Sequence, residues 1–220
     1  ISGKESHKVK GLTENETYLL HEEVCVGEYV KASDIEFTVS QDKEKQKVTM
    51  IDKLVEVSKT DLVTGEELEG AKLQVIDEEG NIVDEWTSEK GKKHYVVGLE
   101  ENKTYRLVEI TAPYGYEIAE EITFTVTTDK ETQKVEMKDM PILKDIQLIK
   151  IDSKTKEVIK EKFTFGLYED EECTKLIQQM DSDKKTGTVK FEDLRYGTYF
   201  IKEVSAPKGY EISDEKIKVE

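Results

Sequence analysis

Cysteine and proline are scarce in this 220-residue chain, and positive charges are outnumbered by negative ones. Its two cysteines, Cys25 and Cys173, have no CxxC or other metal-like spacing, so we expect neither a disulfide framework nor a redox motif. Lysine and arginine number 33 against 49 aspartates and glutamates, which gives a formal net charge of −16. Because acidic residues repel a phosphate backbone, this balance argues against nucleic-acid binding.

Long apolar runs and common catalytic motifs are also missing. No run approaches the roughly 20 apolar residues of a membrane helix. No charged-then-apolar leader opens the chain, so we expect any secretion signal or anchor to lie outside this piece. The three histidines are scattered, and no GxSxG, P-loop or HExxH motif occurs, so we expect no metal, no cofactor and no enzyme acting on an external substrate.

What the chain does have is alternation of apolar and charged residues in many short runs. Low hydrophobicity with high net charge can mean disorder, but alternation with a period of two predicts strands. Seven short runs separated by turn residues predict an all-β fold of the β-sandwich type. Within residues 54–141 they fall at about 54–60, 71–77, 82–87, 93–98, 103–111, 121–127 and 133–139.

One motif occurs three times and organises the chain. It reads YRLVEITAPYGY from Tyr105 and YFIKEVSAPKGY from Tyr199, with a degenerate copy, YLLHE, from Tyr18. Each unit therefore spans about 90 residues, the size of a small sandwich domain. Flanking segments also repeat, because V-x-M-x-D occurs at 48–52 and again at 135–139. We predict half a domain at 1–53, a complete domain at 54–141, and a domain without its last strand at 142–220.

Three ionisable residues lie on predicted apolar strand faces. Since alternate side chains of a strand share a face, Lys59 lies with Val55 and Val57, Glu109 with Leu107, and Asp139 with Met137. The other units keep some of these positions, as Glu22 and Asp52 in the first and Lys150 and Glu203 in the third.

Two interpretations of these charges stay open. In the first, each charge simply ends its strand, with Lys59 reaching solvent and Asp139 bonding into a turn. In the second, Lys59 and Asp139 react to form an amide while Glu109 transfers protons. Burial favours the neutral forms of amine and carboxyl that this reaction needs, and the release of water requires no cofactor.

At these residues the sequence resembles the CnaB-type, SpaA-like domains of Gram-positive surface adhesins and pilins. The stretch Tyr105–Tyr116 is similar to the "E-box" of that family, and Val135–Asp139 is similar to its closing strand, in the variant with aspartate. The resemblance implies tandem immunoglobulin-like or prealbumin-like β-sandwiches, one complete and two partial. It also implies an autocatalytic isopeptide bond between Lys59 and Asp139, assisted by Glu109.

Two functions follow from that resemblance as expectations. The first is a structural stalk repeat, extracellular and attached to the cell wall, whose partners are the neighbouring repeats of the same protein. The second is an adhesin module that binds a host matrix protein or glycan. The sequence shows no LPxTG signal and no pilin-type lysine motif, so polymerisation into a pilus does not follow from it.

Overall fold

The computed structural model describes residues 6–25, 27–41, 45–127, 129 and 131–220. These residues form strands and connecting loops, and none of them lies in a helix, so the all-β prediction is confirmed. They group into two compact units. The first contains the described residues up to Pro113 together with Glu117–Met140, and the second contains Tyr114–Tyr116 together with Pro141–Glu220.

The described residues include sixteen strands. Those of the first unit are β1 (Thr17–Leu20), β2 (Tyr29–Val30), β3 (Ile35–Thr38), β4 (Lys53–Asp61), β5 (Lys72–Ile76), β6 (Ile82–Thr87), β7 (His94–Tyr95), β8 (Thr104–Thr111), β9 (Ile122–Thr125) and β10 (Thr132–Asp139). Those of the second are β11 (Leu143–Ile149), β12 (Thr164–Tyr168), β13 (Leu176–Asp181), β14 (Thr188–Arg195), β15 (Tyr199–Ser205) and β16 (Lys216–Val219).

The first unit is a sandwich of two four-stranded sheets with an additional antiparallel pair formed by β1 and β3. One sheet has the order β10-β4-β2, with β7 also paired to β4, and the other has the order β6-β5-β8-β9. Strands β4 and β10 pair in parallel, with Val57 opposite Val135 and Lys59 opposite Met137. Parallel neighbours need a long crossover, and here the remainder of the sandwich lies between them in sequence.

The core of this unit follows the predicted alternation. Each buried aliphatic side chain contributes about 1.5–3 kcal/mol relative to an exposed one. The inward residues of β4, β5, β8 and β10 are at most 6% exposed: Val55, Val57, Leu73, Val75, Leu107, Val135 and Met137.

One predicted strand is much shorter than expected. The run at 93–98 forms only β7, although the N–H of Val96 still donates to Val55 O at 3.0 Å. The ladder ends there, since the N–H of Val97 donates to Asp84 Oδ2 at 3.1 Å and Gly98 follows with a φ of 76°.

The described residues of 13–46 make contacts that recur between their counterparts 87 positions later in the chain. Asn15 and Asn102 have φ angles of 64° and 62°. The Thr17 and Thr38 hydroxyls lie 3.0 Å apart, and their counterparts Thr104 and Thr125 lie 2.9 Å apart. The segment 48–52, however, does not form a strand as 135–139 does. Its neighbourhood lacks a strand equivalent to β4 among the described residues, so it has nothing to pair with.

The second unit has one sheet of β11 and β14 and one of order β13-β12-β15-β16. Its buried core includes Phe163, Leu167, Val189, Phe191 and Ile201. Strand β11 occupies the repeat position of β4 but is mostly exposed, whereas β4 is mostly buried. Among the described residues β11 pairs only with β14, so its other edge lacks the cover that β10 gives to β4.

Candidate functional site

Strands β4, β8 and β10 bring Lys59, Glu109 and Asp139 together inside the sandwich. Lys59 Nζ contacts Asp139 Oδ1 and lies 2.9 Å from Glu109 Oε1. The three residues are 2%, 5% and 0% exposed. Asp139 is two residues beyond Met137, the direct partner of Lys59, so the parallel register places the amine beside the carboxyl as a diagonal neighbour.

The environment favours a protonated carboxyl at Asp139. Burial raises the pKa of Asp139 to about 6, since it outweighs the opposing effect of the Lys59 ammonium, and the Glu109 carboxylate raises the pKa further. Asp139 therefore keeps its proton to a higher pH than an ordinary aspartate does.

Two carboxyl oxygens of the site are left without a hydrogen bond. Among the described residues, the buried side-chain atoms in this condition are Glu109 Oε1 and Asp139 Oδ2. Glu109 Oε1 is close to the Lys59 ammonium but not aligned for a hydrogen bond. The Glu109 carboxyl interacts with Asp139 and raises its pKa, and a proton held by one of the two carboxyls is the usual arrangement for such a pair.

The other oxygen of Glu109 is held by the backbone. The N–H of Ala119, ten residues along the chain, donates to Glu109 Oε2 at 2.7 Å. The same contact joins Ala32 to Glu22 at 2.7 Å and Ser213 to Glu203 at 3.0 Å. Sequence reasoning missed these donors, although the constant spacing of ten and the small residue at each position were available as a signal.

The equivalent residues of the outer repeats are only partly assembled. Lys150 contacts Glu203 Oε1, and its Nζ lies 6.0 Å from the centre of the Phe163 ring. Glu22 is held by Ala32, whereas Asp52 is exposed at the residue before β4. The structure thus assembles the middle set of three and the pair Lys150–Glu203.

A second, largely buried lysine–carboxylate pair provides a contrast. Lys53 contacts Glu101 Oε1, and the N–H of Ser33 donates to Glu101 Oε2 at 2.9 Å. Burial acts to raise the pKa of Glu101, but the bonds from Lys53 and Ser33 outweigh it, so the pKa is lowered. This carboxyl stays an anion, which an amine does not attack, so the geometry supports an ion pair here.

Substituting Glu101 by Gln should therefore destabilise the first unit without changing its covalent structure. Loss of the charged hydrogen bonds should lower the free energy of unfolding by roughly 1–3 kcal/mol. Denaturant unfolding measures that loss, and intact mass spectrometry should show no change beyond the substitution itself. A mass difference of one water between the variant and the wild type would contradict the ion-pair assignment.

The described residues were also compared with the requirements of a metal site, a disulfide and a membrane-spanning helix. They contain no group of three or more His, Cys, Asp or Glu side chains arranged to hold a metal ion. Cys173 is a free cysteine, and the Cys25 thiol donates to the Tyr29 carbonyl oxygen at 2.7 Å. A helix with the length and hydropathy of a membrane span is absent from the described part of the chain.

The paired sheets, with the last strand of a repeat parallel to the first, define a prealbumin-like sandwich. The family model of the SpaA prealbumin-like fold domain matches residues 53–141 and again 144–220. The chain therefore belongs to the family of SpaA prealbumin-like domains, as the E-box resemblance predicted. A search of curated protein sequences found no match.

Several solved structures are similar to this chain. The Bacillus anthracis TIE protein is 25% identical with a TM-score of 0.58, over 93% of this chain and 39% of that protein, so this chain spans well under half of its length. A streptococcal ancillary pilin is 16% identical with a TM-score of 0.38, over 94% and 71% of the two chains. The shaft pilin SpaA from Lactobacillus rhamnosus GG is 15% identical with a TM-score of 0.33, over 76% and 92%.

Proposed function

We propose that this chain is a stalk segment of a Gram-positive surface protein, extracellular and attached to the cell wall, and that its middle repeat carries an isopeptide bond between Lys59 and Asp139. The buried contact of Lys59 with Asp139 and Glu109, across the parallel first and last strands of the repeat, supports this function. The family membership of the chain supports the stalk role.

In the proposed reaction the neutral amine of Lys59 attacks Asp139 Cγ. The new N–C bond forms as one carboxyl C–O bond breaks. Glu109 takes a proton from nitrogen and returns it to the departing oxygen, so one amine and one acid become one amide and one water. Fixed strands hold the partners in place, and such positioning can lower the barrier by roughly 7–11 kcal/mol.

The repeat division supports a tandem stalk. We propose that residues 1–53 are the C-terminal half of a repeat and that 142–220 are a repeat without its closing strand. The contacts shared by residues 13–46 and their counterparts 87 positions later favour the first assignment. The exposed edge of β11 favours the second.

The position of the proposed bond suits a load-bearing stalk. Tension applied at Lys53 runs along β4 to Lys59, crosses the amide to Asp139 and leaves through Pro141. The segment between the crosslinked residues, which lie 80 positions apart, then carries no load. The sandwich need not resist the force through hydrogen bonds and packing alone.

Stretching single molecules tests this role. Pulled from residues 53 and 141, the wild-type middle repeat should show no unfolding step. The Glu109→Gln variant should release the loop of 80 residues, an extension of roughly 260–290 Å at about 3.3–3.6 Å per residue. A step of that length in the wild type would contradict the load-bearing crosslink.

The raised pKa of Asp139 predicts how pH affects a repeat that cannot crosslink. In the Glu109→Gln variant, burial still holds the pKa above its ordinary value of 3.8. Without the Glu109 charge the folded pKa lies below about 6, so from about pH 4 up to that pKa the folded carboxyl keeps a proton that the unfolded chain has released. Stability should fall with rising pH by up to about 1.4 kcal/mol per unit and level off above that window. The Glu109→Gln/Asp139→Ala variant should lack this slope in denaturant unfolding.

A further inference from the structure

A cavity of about 70 Å³ lies against the amine-bearing side chain of the proposed crosslink. Its lining includes Lys59, the core residue Leu73, and Trp86, Ser88 and His94. That volume accommodates a few water molecules, and Ser88 and Lys59 supply polar atoms for them. The cavity is too small for an organic ligand of ordinary size.

One wall of the cavity is a pair of stacked rings that joins the two sheets. Trp86 lies on β6 and His94 on β7, the short strand paired with β4. Their ring centres are 3.9 Å apart and the planes are inclined by 13°. Asp84 holds the imidazole of His94. We use the name clasp for the three residues Asp84, Trp86 and His94.

Asp84 fixes the imidazole from the β6 side. Its Oδ2 atom lies 2.8 Å from His94 Nε2 and accepts the N–H of Val97 at 3.1 Å. The stack is therefore anchored to both sheets, at the edge of the sandwich nearest Lys59. The sequence alone did not predict that Trp86 and His94 stack.

The proposed reaction places two demands on this edge. The amine must be shielded from bulk water, because a solvated lysine is charged and unreactive. One water also has to leave a site whose three residues are at most 5% exposed. A water-sized cavity beside Lys59, with Trp86 and His94 in its lining, can serve both demands if these rings control access to it.

We propose that the clasp is the gate of the crosslinking site: closed, it excludes solvent from Lys59, and by opening it releases the water formed with the amide. This role rests on the proposed isopeptide bond. Trp86 and His94 act as positioning residues, since they touch the cavity and take no part in the proton transfers.

The gate can be tested where no crosslink forms. In an Asp139→Ala background the Lys59 amine stays free, and its acetylation by acetic anhydride can be followed by peptide mass spectrometry. Adding Trp86→Ala or His94→Ala should raise the rate of Lys59 labelling roughly two- to tenfold, because the stack that limits opening is lost. His94→Ala removes a half-buried ring and keeps the indole, so it tests the gate even if Trp86→Ala unfolds.

Lys53 is the internal control. Its amine is largely buried in the same unit, pairs with Glu101 and does not line the cavity. Faster labelling of Lys59 with Lys53 unchanged supports the gate. Equal acceleration of both lysines indicates general loosening, and no acceleration of Lys59 means that the clasp does not control access; either result overturns the proposal.

A crosslinking measurement separates this inference from the proposed function. In an otherwise wild-type chain, His94→Ala should leave a larger uncrosslinked fraction shortly after synthesis. If the wild type itself never loses water, the proposed function fails. The labelling experiment tests the gate independently of the crosslink, because it uses the Asp139→Ala chain, which cannot crosslink.

Discussion

The Glu109→Gln variant is expected to have the full mass calculated from its sequence, whereas the wild-type protein is expected to weigh one water less. The introduced glutamine keeps the size of the side chain and an oxygen that the N–H of Ala119 can reach, but it cannot relay a proton from amine to leaving oxygen. General acid–base catalysis of this kind typically contributes a factor of about 10²–10⁴. Intact mass spectrometry of denatured protein measures the difference directly.

The outer repeats provide matched controls for this substitution. Glu22 and Glu203 accept the same backbone hydrogen bond from the residue ten positions on, yet the structure gives neither a lysine and an aspartate together. Glu22→Gln and Glu203→Gln should therefore retain the loss of one water. A wild-type protein of full mass would contradict the crosslink, and a Glu109→Gln protein that still loses water would remove Glu109 from the reaction.

The second large effect is expected from Asp139→Ala, which should lower the free energy of unfolding of the first unit by roughly 4–5 kcal/mol. The proposed amide closes a loop of 80 positions, and the chain-entropy model for a disulfide of that loop length gives this magnitude. Removing the carboxyl also leaves the buried Lys59 with one partner fewer. Unlike the effect of a disulfide, the difference should persist in reducing agent.

Tryptophan fluorescence in denaturant is well suited to this measurement. Trp86 is the one tryptophan of the chain and lies in the first unit, so the signal does not mix the two units. Glu109→Gln should lose nearly as much stability as Asp139→Ala, since neither variant closes the loop. A loss no larger than that of an ordinary surface substitution would contradict the proposed bond.

The alternation of side chains explains why so much of the site could be predicted. A period of two depends on backbone geometry alone, so assigning Lys59, Glu109 and Asp139 to inward faces needed no knowledge of which strands were neighbours. The repeat then showed which inward charges belong together. Apart from β7, strand ends differed by at most two residues. Strand β7 is short because the N–H of Val97 bonds to Asp84 on β6, a contact that local patterns do not contain.

Contacts that depend on the tertiary fold could not be predicted in the same way. Lys53 and Glu101 lie 48 positions apart and belong to no shared motif, so only the folded unit brings them together. The Trp86–His94 stack likewise joins strands of opposite sheets. Segment 48–52 shows the converse: it matches the pattern of β10, but a strand forms only where a partner edge is present.

The hydrogen bond from the residue ten positions after each E-box glutamate also bears on the order of events during folding. Closing a loop of about ten residues takes on the order of 10–100 ns, and closure becomes slower and entropically more costly as the loop lengthens. The bond from Ala119 to Glu109 can thus form well before β10 returns to pair with β4. If Glu109 transfers protons as proposed, its carboxyl is then already oriented when the amine of Lys59 and the acid of Asp139 first meet.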